Sequence, residues 1–131
     1  MDAIPKNYVD LFDKKAYAHL VTLNADGSPQ VTPVWFDHDG THVRINTAVG
    51  RQKDRNMRRP SARVALSIMD RDKRETCAQV QGTVIEITED GADAHIDALA
   101  KKYTGAERFN SPAGQRRVTY RIRIDRLSGL E

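Results

Sequence analysis

Cysteine is nearly absent: Cys77 stands alone in 131 residues. One thiol makes no internal disulfide and supplies no paired-cysteine metal motif, so a reducing compartment is the natural setting. Long apolar runs are missing too. No stretch reaches the roughly 18 apolar residues of a bilayer span, and the opening MDAIPKNYVDLFDKK has early acids and no apolar signal core. Nothing there suggests export; the expected location is cytoplasmic, with no membrane partner. The four histidines, His19, His38, His42 and His95, lack ligand spacings such as HxxxH, so no metal site is expected. There are no internal repeats and no low-complexity linker. A chain of this length reads as one domain, 1–131, long enough to bury a core without staples.

A broad excess of charge is also missing. The pI is near 9.2, yet 21 Lys and Arg against 18 Asp and Glu leave only +3. The basicity is local. Between Arg51 and Arg63 stand six Lys/Arg and one Asp, a segment of +5, which leaves −2 for the rest of the chain. A duplex binder spreads its cations over a wide face to displace counterions along several phosphates. A single-strand binder interleaves aromatics as stacking platforms, and this run has none. No nucleic-acid partner is expected. A compact cluster suits a small molecule carrying one or a few phosphates.

What is present reads mostly as strands. IPKNYVDLFDKKA places Ile4, Tyr8, Leu11 and Phe12 at helical spacing. YAHLVTLNADGSPQVTPVWF reads as strand, turn, strand, and the turn DHDG leads into the strand THVRINT. Gly50 and Pro60 bracket a short helix over about 51–59. ARVALSIMD and AQVQGTVIEIT are two further strands, and Gly82 in the second signals a bulge or a close backbone approach. ADAHIDALAKKY carries Ala92, Ile96, Leu99, Ala100 and Tyr103 on one helical stripe. In the last strand Val118, Tyr120, Ile122 and Ile124 alternate with Arg and Thr. Six strands joined mostly by short turns imply an antiparallel sheet that closes into a barrel to remove its edges, with peripheral short helices.

Chemistry concentrates at NTAVGRQKDRNMRRP, Asn46 to Pro60. A glycine-containing strand-to-helix turn exposes backbone N–H groups, and a helix start adds partial positive charge. Arg51 can grip a phosphate with two parallel hydrogen bonds, and Lys53 adds a point charge. Asn46 and Thr47 stand just before, able to bond a ring carbonyl or a hydroxylated side chain. Taken alone, the pattern fits either a site for a phosphorylated heterocycle or a solvated arginine-rich helix. Arg55, Arg58 and Arg59 likewise read as holding a longer acidic ligand tail or as solvating the helix.

LVTLNADGSPQVTPVWF, NTAVGRQKDRNMRRPSARVALSI and VQGTVIEIT resemble, in order and spacing, the pyridoxamine 5′-phosphate oxidase-like superfamily. Within it the chain looks most like the small enzymes that use the deazaflavin F420 in place of FMN. The resemblance implies a six-stranded split β-barrel that dimerises, with two cofactor sites at the subunit interface. It implies hydride transfer between reduced F420 and an unsaturated or conjugated small molecule. The alternatives are an FMN-dependent enzyme of the same fold or a non-catalytic flavin carrier. By position, Arg51 and Lys53 match the residues that hold the cofactor phosphate. Asn46 and Thr47 match the strand approaching the ring and its side chain, and Pro33, Val34 and Trp35 match the strand beside the ring. Arg117 falls where the family often has a basic residue. One departure stands out: Glu75 and Cys77 occupy positions where relatives often supply aromatics.

Overall fold

The computed structural model describes residues 2–130. Helix α1 (Lys6–Phe12) precedes β1 (Tyr17–Leu23), β2 (Pro29–Val34), β3 (Phe36–His38) and β4 (His42–Ala48). Then come α2 (Gln52–Met57), β5 (Arg63–Met69), β6 (Cys77–Thr88), α3 (Ala92–Thr104) and β7 (Arg117–Ser128). All pairings are antiparallel, in the order β2-β1-β5-β6-β7-β4-β3. The two outermost strands, β2 and β3, are consecutive in the chain and separated by one residue, Trp35. Successive Cα atoms lie 3.8 Å apart, so the two edges must meet there. That forces the sheet to curl into a split barrel.

The strand count is therefore seven, where the sequence reading gives six. The run expected as one strand over Val31–Phe36 divides at Trp35, and its halves pair with opposite edges. Val34 faces Ala18 of β1, whereas Phe36 faces Ile45 of β4. A local run of strand formers carries no sign of this break, because sheet closure imposes it.

Alternation fills the barrel. Leu20 lies opposite Leu66, which lies opposite Val80, and Ile45 lies opposite Tyr120. Each is at most 3% exposed, and such side chains contribute roughly 1.5–3 kcal/mol apiece on burial. Helix α1 closes one end, with Phe12 edge-on to Phe36 at 5.5 Å between centroids. At Gly82 the β6–β7 register shifts, and a Cβ there would lie 2.5 Å from Ile122 Cγ2 and 2.6 Å from the Arg123 carbonyl oxygen. The close approach expected at this glycine is real. Among the described residues no helix is long and apolar enough to cross a membrane.

Candidate functional site

Beside the seam at Trp35 opens a cleft of about 550 Å³. All eight residues singled out from the sequence border it. Pro33, Val34 and Trp35 come from the seam, and Asn46 and Thr47 from the end of β4. Arg51 and Lys53 follow from the turn and α2, and Arg117 opens β7. The β4–β7 register sets Ala48 opposite Arg117 and Thr47 opposite Val118, which brings the end of β4 beside Arg117. Lys53 Nζ reaches Thr32 Oγ1 of β2 at 3.4 Å, tying α2 to the other side of the seam.

Charge in this cleft is one-sided. Among the described residues, Arg51, Lys53 and Arg117 form no ion pair with any carboxylate. Lys53 is held below its ordinary pKa by burial first and then by repulsion from Arg51 and Arg117. Burial, then Arg51, does the same to Arg117. Mutual repulsion among clustered cations is a cost that an incoming anion reverses. Thr47 sharpens the picture, because it is 1% exposed and its hydroxyl has no hydrogen-bond partner. Buried polar atoms are almost always paired, so an orphan hydroxyl bordering a cationic cleft fits a ligand that bonds it.

The structure corrects the expectation of a turn with free backbone amides. Gly50 donates its N–H to Asp54 Oδ2 at 2.8 Å, so that donor is used. Helix α2 has only six residues, which leaves the side chains to carry most of the positive charge. Asp54 is the piece that sequence reading missed. It is 1% exposed and accepts from Gly50 N, from Arg58 Nε at 2.8 Å and from the Tyr120 hydroxyl. A buried carboxylate thereby anchors the basic segment to the barrel wall. Arg55 donates to the Gly50 carbonyl at 2.6 Å and Arg59 to the Leu23 carbonyl at 2.6 Å. With Arg58 held by Asp54, these three arginines tie down their own segment and are not idle on a solvated helix.

Asn46 also does something other than present a free amide. It is 8% exposed; its Nδ2 donates to the Ala92 carbonyl at 2.8 Å, and its Oδ1 accepts from Arg117 Nε at 2.9 Å. Behind it runs a buried chain. His95 Nδ1 lies 2.9 Å from Thr119 Oγ1 and 3.4 Å from Asn46 Nδ2, while His95 Nε2 lies 3.1 Å from Asp37 Oδ1. Asp37 is gripped in turn by both arms of Arg44, at 2.8 and 2.7 Å. Burial pushes the Asp37 carboxyl upward, but hydrogen bonds from His95 and Arg44 outweigh it and hold its pKa low. The Asp37 carboxylate accepts a hydrogen bond from His95 Nε2–H, and in that tautomer Nδ1 is an acceptor facing the Asn46 amide. The carboxamide is thus oriented with its oxygen toward Arg117.

The remaining wall is aromatic. Trp35 stacks on Tyr103 at 5.5 Å and 6°, and Phe109 meets Trp35 edge-on at 6.0 Å. Arg117 lies 5.1 Å from the Phe109 centroid. Phe109 is fixed by its backbone N–H, which bonds Asp97 Oδ1 at 2.8 Å. The sequence places Tyr103 on an apolar helical stripe and Phe109 in a loop. Only the packing of α3 beside the seam brings them together. Cys77 and Glu75 contribute no ring, but the chain's own α3 and the loop after it do.

A seamed antiparallel barrel with a cationic, partly aromatic cleft at the seam defines a split-barrel protein. Residues 4–131 match the pyridoxamine 5′-phosphate oxidase family, and the chain belongs to it. An F420 reductase is similar in structure at 32% identity, with a TM-score of 0.84 over 96% of this chain and 99% of its own. A conserved hypothetical protein from Mycobacterium tuberculosis, Rv2991, is 25% identical, with a TM-score of 0.69 over 96% and 84%. The FAD and heme binding protein from Mycobacterium smegmatis shares the fold at 21% identity, with a TM-score of 0.68 over 96% and 70%. No curated protein matches the chain.

Proposed function

We propose that the chain is an F420-dependent oxidoreductase that passes a hydride from reduced deazaflavin to an unsaturated or conjugated organic substrate. The observation that carries this reading is one cluster in the cleft: Arg51, Lys53 and Arg117, without carboxylate partners, beside an orphan buried hydroxyl. In this reading Arg51, Lys53 and Arg117 hold the cofactor phosphate, Thr47 bonds its side chain or ring, and Pro33–Trp35 flank the ring. Similarity to an F420 reductase favours the deazaflavin; FMN would use the same phosphate grip and is the alternative.

When bound, F420 supplies two-electron hydride chemistry. The chain's own part is to bind, orient and exclude water. Trp35, Tyr103 and Phe109 form a packed aromatic cluster on the cleft wall, against which a conjugated ring system can lie. His19 is the one Asp, Glu or His bordering the cleft among the described residues, and it is exposed.

A homodimer completes the proposal. Tyr17 and Leu23 of β1 and Val31 of β2 are 44%, 45% and 61% exposed, and all three lie on the outward side of paired strands. An apolar face of this kind marks an association surface, while Phe36 is buried inside the barrel and takes no part. Sedimentation at micromolar concentration should show a dimer; a strict monomer would remove the two-site interface. The cofactor reading is tested by titrating the protein with F420 and FMN. Arg51→Ala should weaken the preferred cofactor roughly ten- to hundred-fold, since a hydrogen bond to a charged group contributes about 1.5–3 kcal/mol. Unchanged affinity would sink the site assignment.

A further inference from the structure

Resting on that reading, we infer that the cleft has a second, carboxylate-binding pole at Arg71 and Lys15, and that the substrate is a conjugated organic acid. Both residues border the cleft, and neither forms an ion pair with a carboxylate among the described residues. Their neighbour Lys14 is the contrast, since it is committed to Asp70 at 2.9 Å.

Position distinguishes this pole from the phosphate grip. The Arg71 guanidinium lies 5.2 Å from the Tyr17 ring centroid, and Tyr17 opens β1. Lys53 Nζ sits at Thr32, which faces Leu20, three residues further along β1. At about 3.4 Å per residue, the two levels lie roughly 10 Å apart. The aromatic wall runs between them. Arg117 abuts Phe109, Phe109 abuts Trp35, and Trp35 stacks on Tyr103. Tyr103 in turn donates its hydroxyl to the Ala16 carbonyl, between Lys15 and Tyr17. One cleft lined by aromatic rings, with cations at two separate places, selects a ligand pair of matching form. With a phosphate held at one end, the other end calls for a planar group ending in an anion. An arginine on the wall of a cleft presents its fork to a carboxylate in two parallel hydrogen bonds.

Trp35 is the only tryptophan of the chain and sits in the wall, so its fluorescence reports occupancy directly. The probes are trans-cinnamate and cinnamamide, which share a conjugated body and differ in charge, titrated into the protein without cofactor. Cinnamate should bind about fivefold more tightly, the upper end for an ion pair open to water. Arg71→Ala and Lys15→Ala should each reduce that preference, and the double variant should abolish it. Arg51→Ala should retain it. Equal binding of the two probes, or loss of the preference in Arg51→Ala alone, would overturn the proposal. A separate arm titrates F420 with and without its glutamyl tail. If Arg71→Ala weakens only the tailed form and leaves cinnamate binding intact, the pole serves the cofactor and the substrate assignment falls. Failure of the chain to bind any flavin or deazaflavin would refute the function proposed above, whereas the cinnamate preference stands or falls independently.

Discussion

Asn46→Ala separates a residue that touches the ligand from one that aims another residue. In the folded chain Arg117 is fixed at three points. Its Nε donates to Asn46 Oδ1 at 2.9 Å, its Nη1 to Gln115 Oε1 at 3.1 Å, and its guanidinium lies against Phe109. Removing the Asn46 oxygen frees the Nε end, so the arginine must be immobilised again when a phosphate arrives. Ordering a long side chain on binding costs about 0.5–1.5 kcal/mol, which is roughly two- to twelve-fold in affinity. Arg117→Ala deletes the charged hydrogen bond itself and should cost about 1.5–3 kcal/mol. The assay is the ratio of riboflavin to FMN dissociation constants, or the equivalent pair for the deazaflavin, because each pair differs only by the phosphate. Asn46→Ala should shrink that ratio several-fold, and Arg117→Ala should shrink it more. In the double variant Asn46→Ala should add nothing, as expected for two residues acting as a unit. Melting temperature will fall as well, because the Ala92 carbonyl and Arg117 Nε lose partners at about 1–3 kcal/mol. A lower melting temperature with an unchanged ratio would show that Asn46 merely ties α3 to the sheet, and the aiming role would be refuted.

Three further outcomes follow from the same structure. Lys53 has a depressed pKa in the free protein, so affinity for the phosphate-bearing ligand should be full below that value and decline as pH rises through it. The phosphate-free analogue should show no such decline, and Lys53→Arg should move the loss to higher pH. Lys102 donates to the Phe12 and Phe36 carbonyls at 2.7 and 2.9 Å, and burial lowers its pKa to about 8. Between pH 8 and 10.5 the unfolded chain then binds more protons at this residue than the folded one. Its contribution to stability therefore rises with pH across that window, and the rise should vanish from urea titrations of Lys102→Met. Gly82→Ala forces a methyl to within 2.6 Å of the Arg123 carbonyl oxygen; it should cost 1–3 kcal/mol or more, seen as a lower urea midpoint at unchanged slope.

Local pattern made much of this fold legible. The alternation of Val118, Tyr120, Ile122 and Ile124 predicts β7, and all four are fully buried. The stripe on α3 and the apolar face of α1 are equally local, and both helices form where the spacing puts them. The basic segment was legible as chemistry, because glycine, arginine and lysine after a strand are contiguous in sequence. What could not be read is whatever depends on distant partners. Asp54 looks like one acid in a basic run until Tyr120, 66 residues on, donates to it. Asn46 looks like a free amide until Arg117, 71 residues on, takes its oxygen. The aromatic wall draws on the seam, α3 and a loop, and no window of the sequence holds all three.

The single-residue junction between the sheet's outer strands has a mechanical consequence. Here β2 and β3, although five strands lie between them in the sheet, share Trp35 as a common clasp. A molecule wedged against that indole presses on both margins at once, so the gap of the barrel doubles as its latch. Protection of backbone amides on one margin then rises and falls with protection on the other, and occupancy of the cleft becomes a way of tightening the whole cylinder.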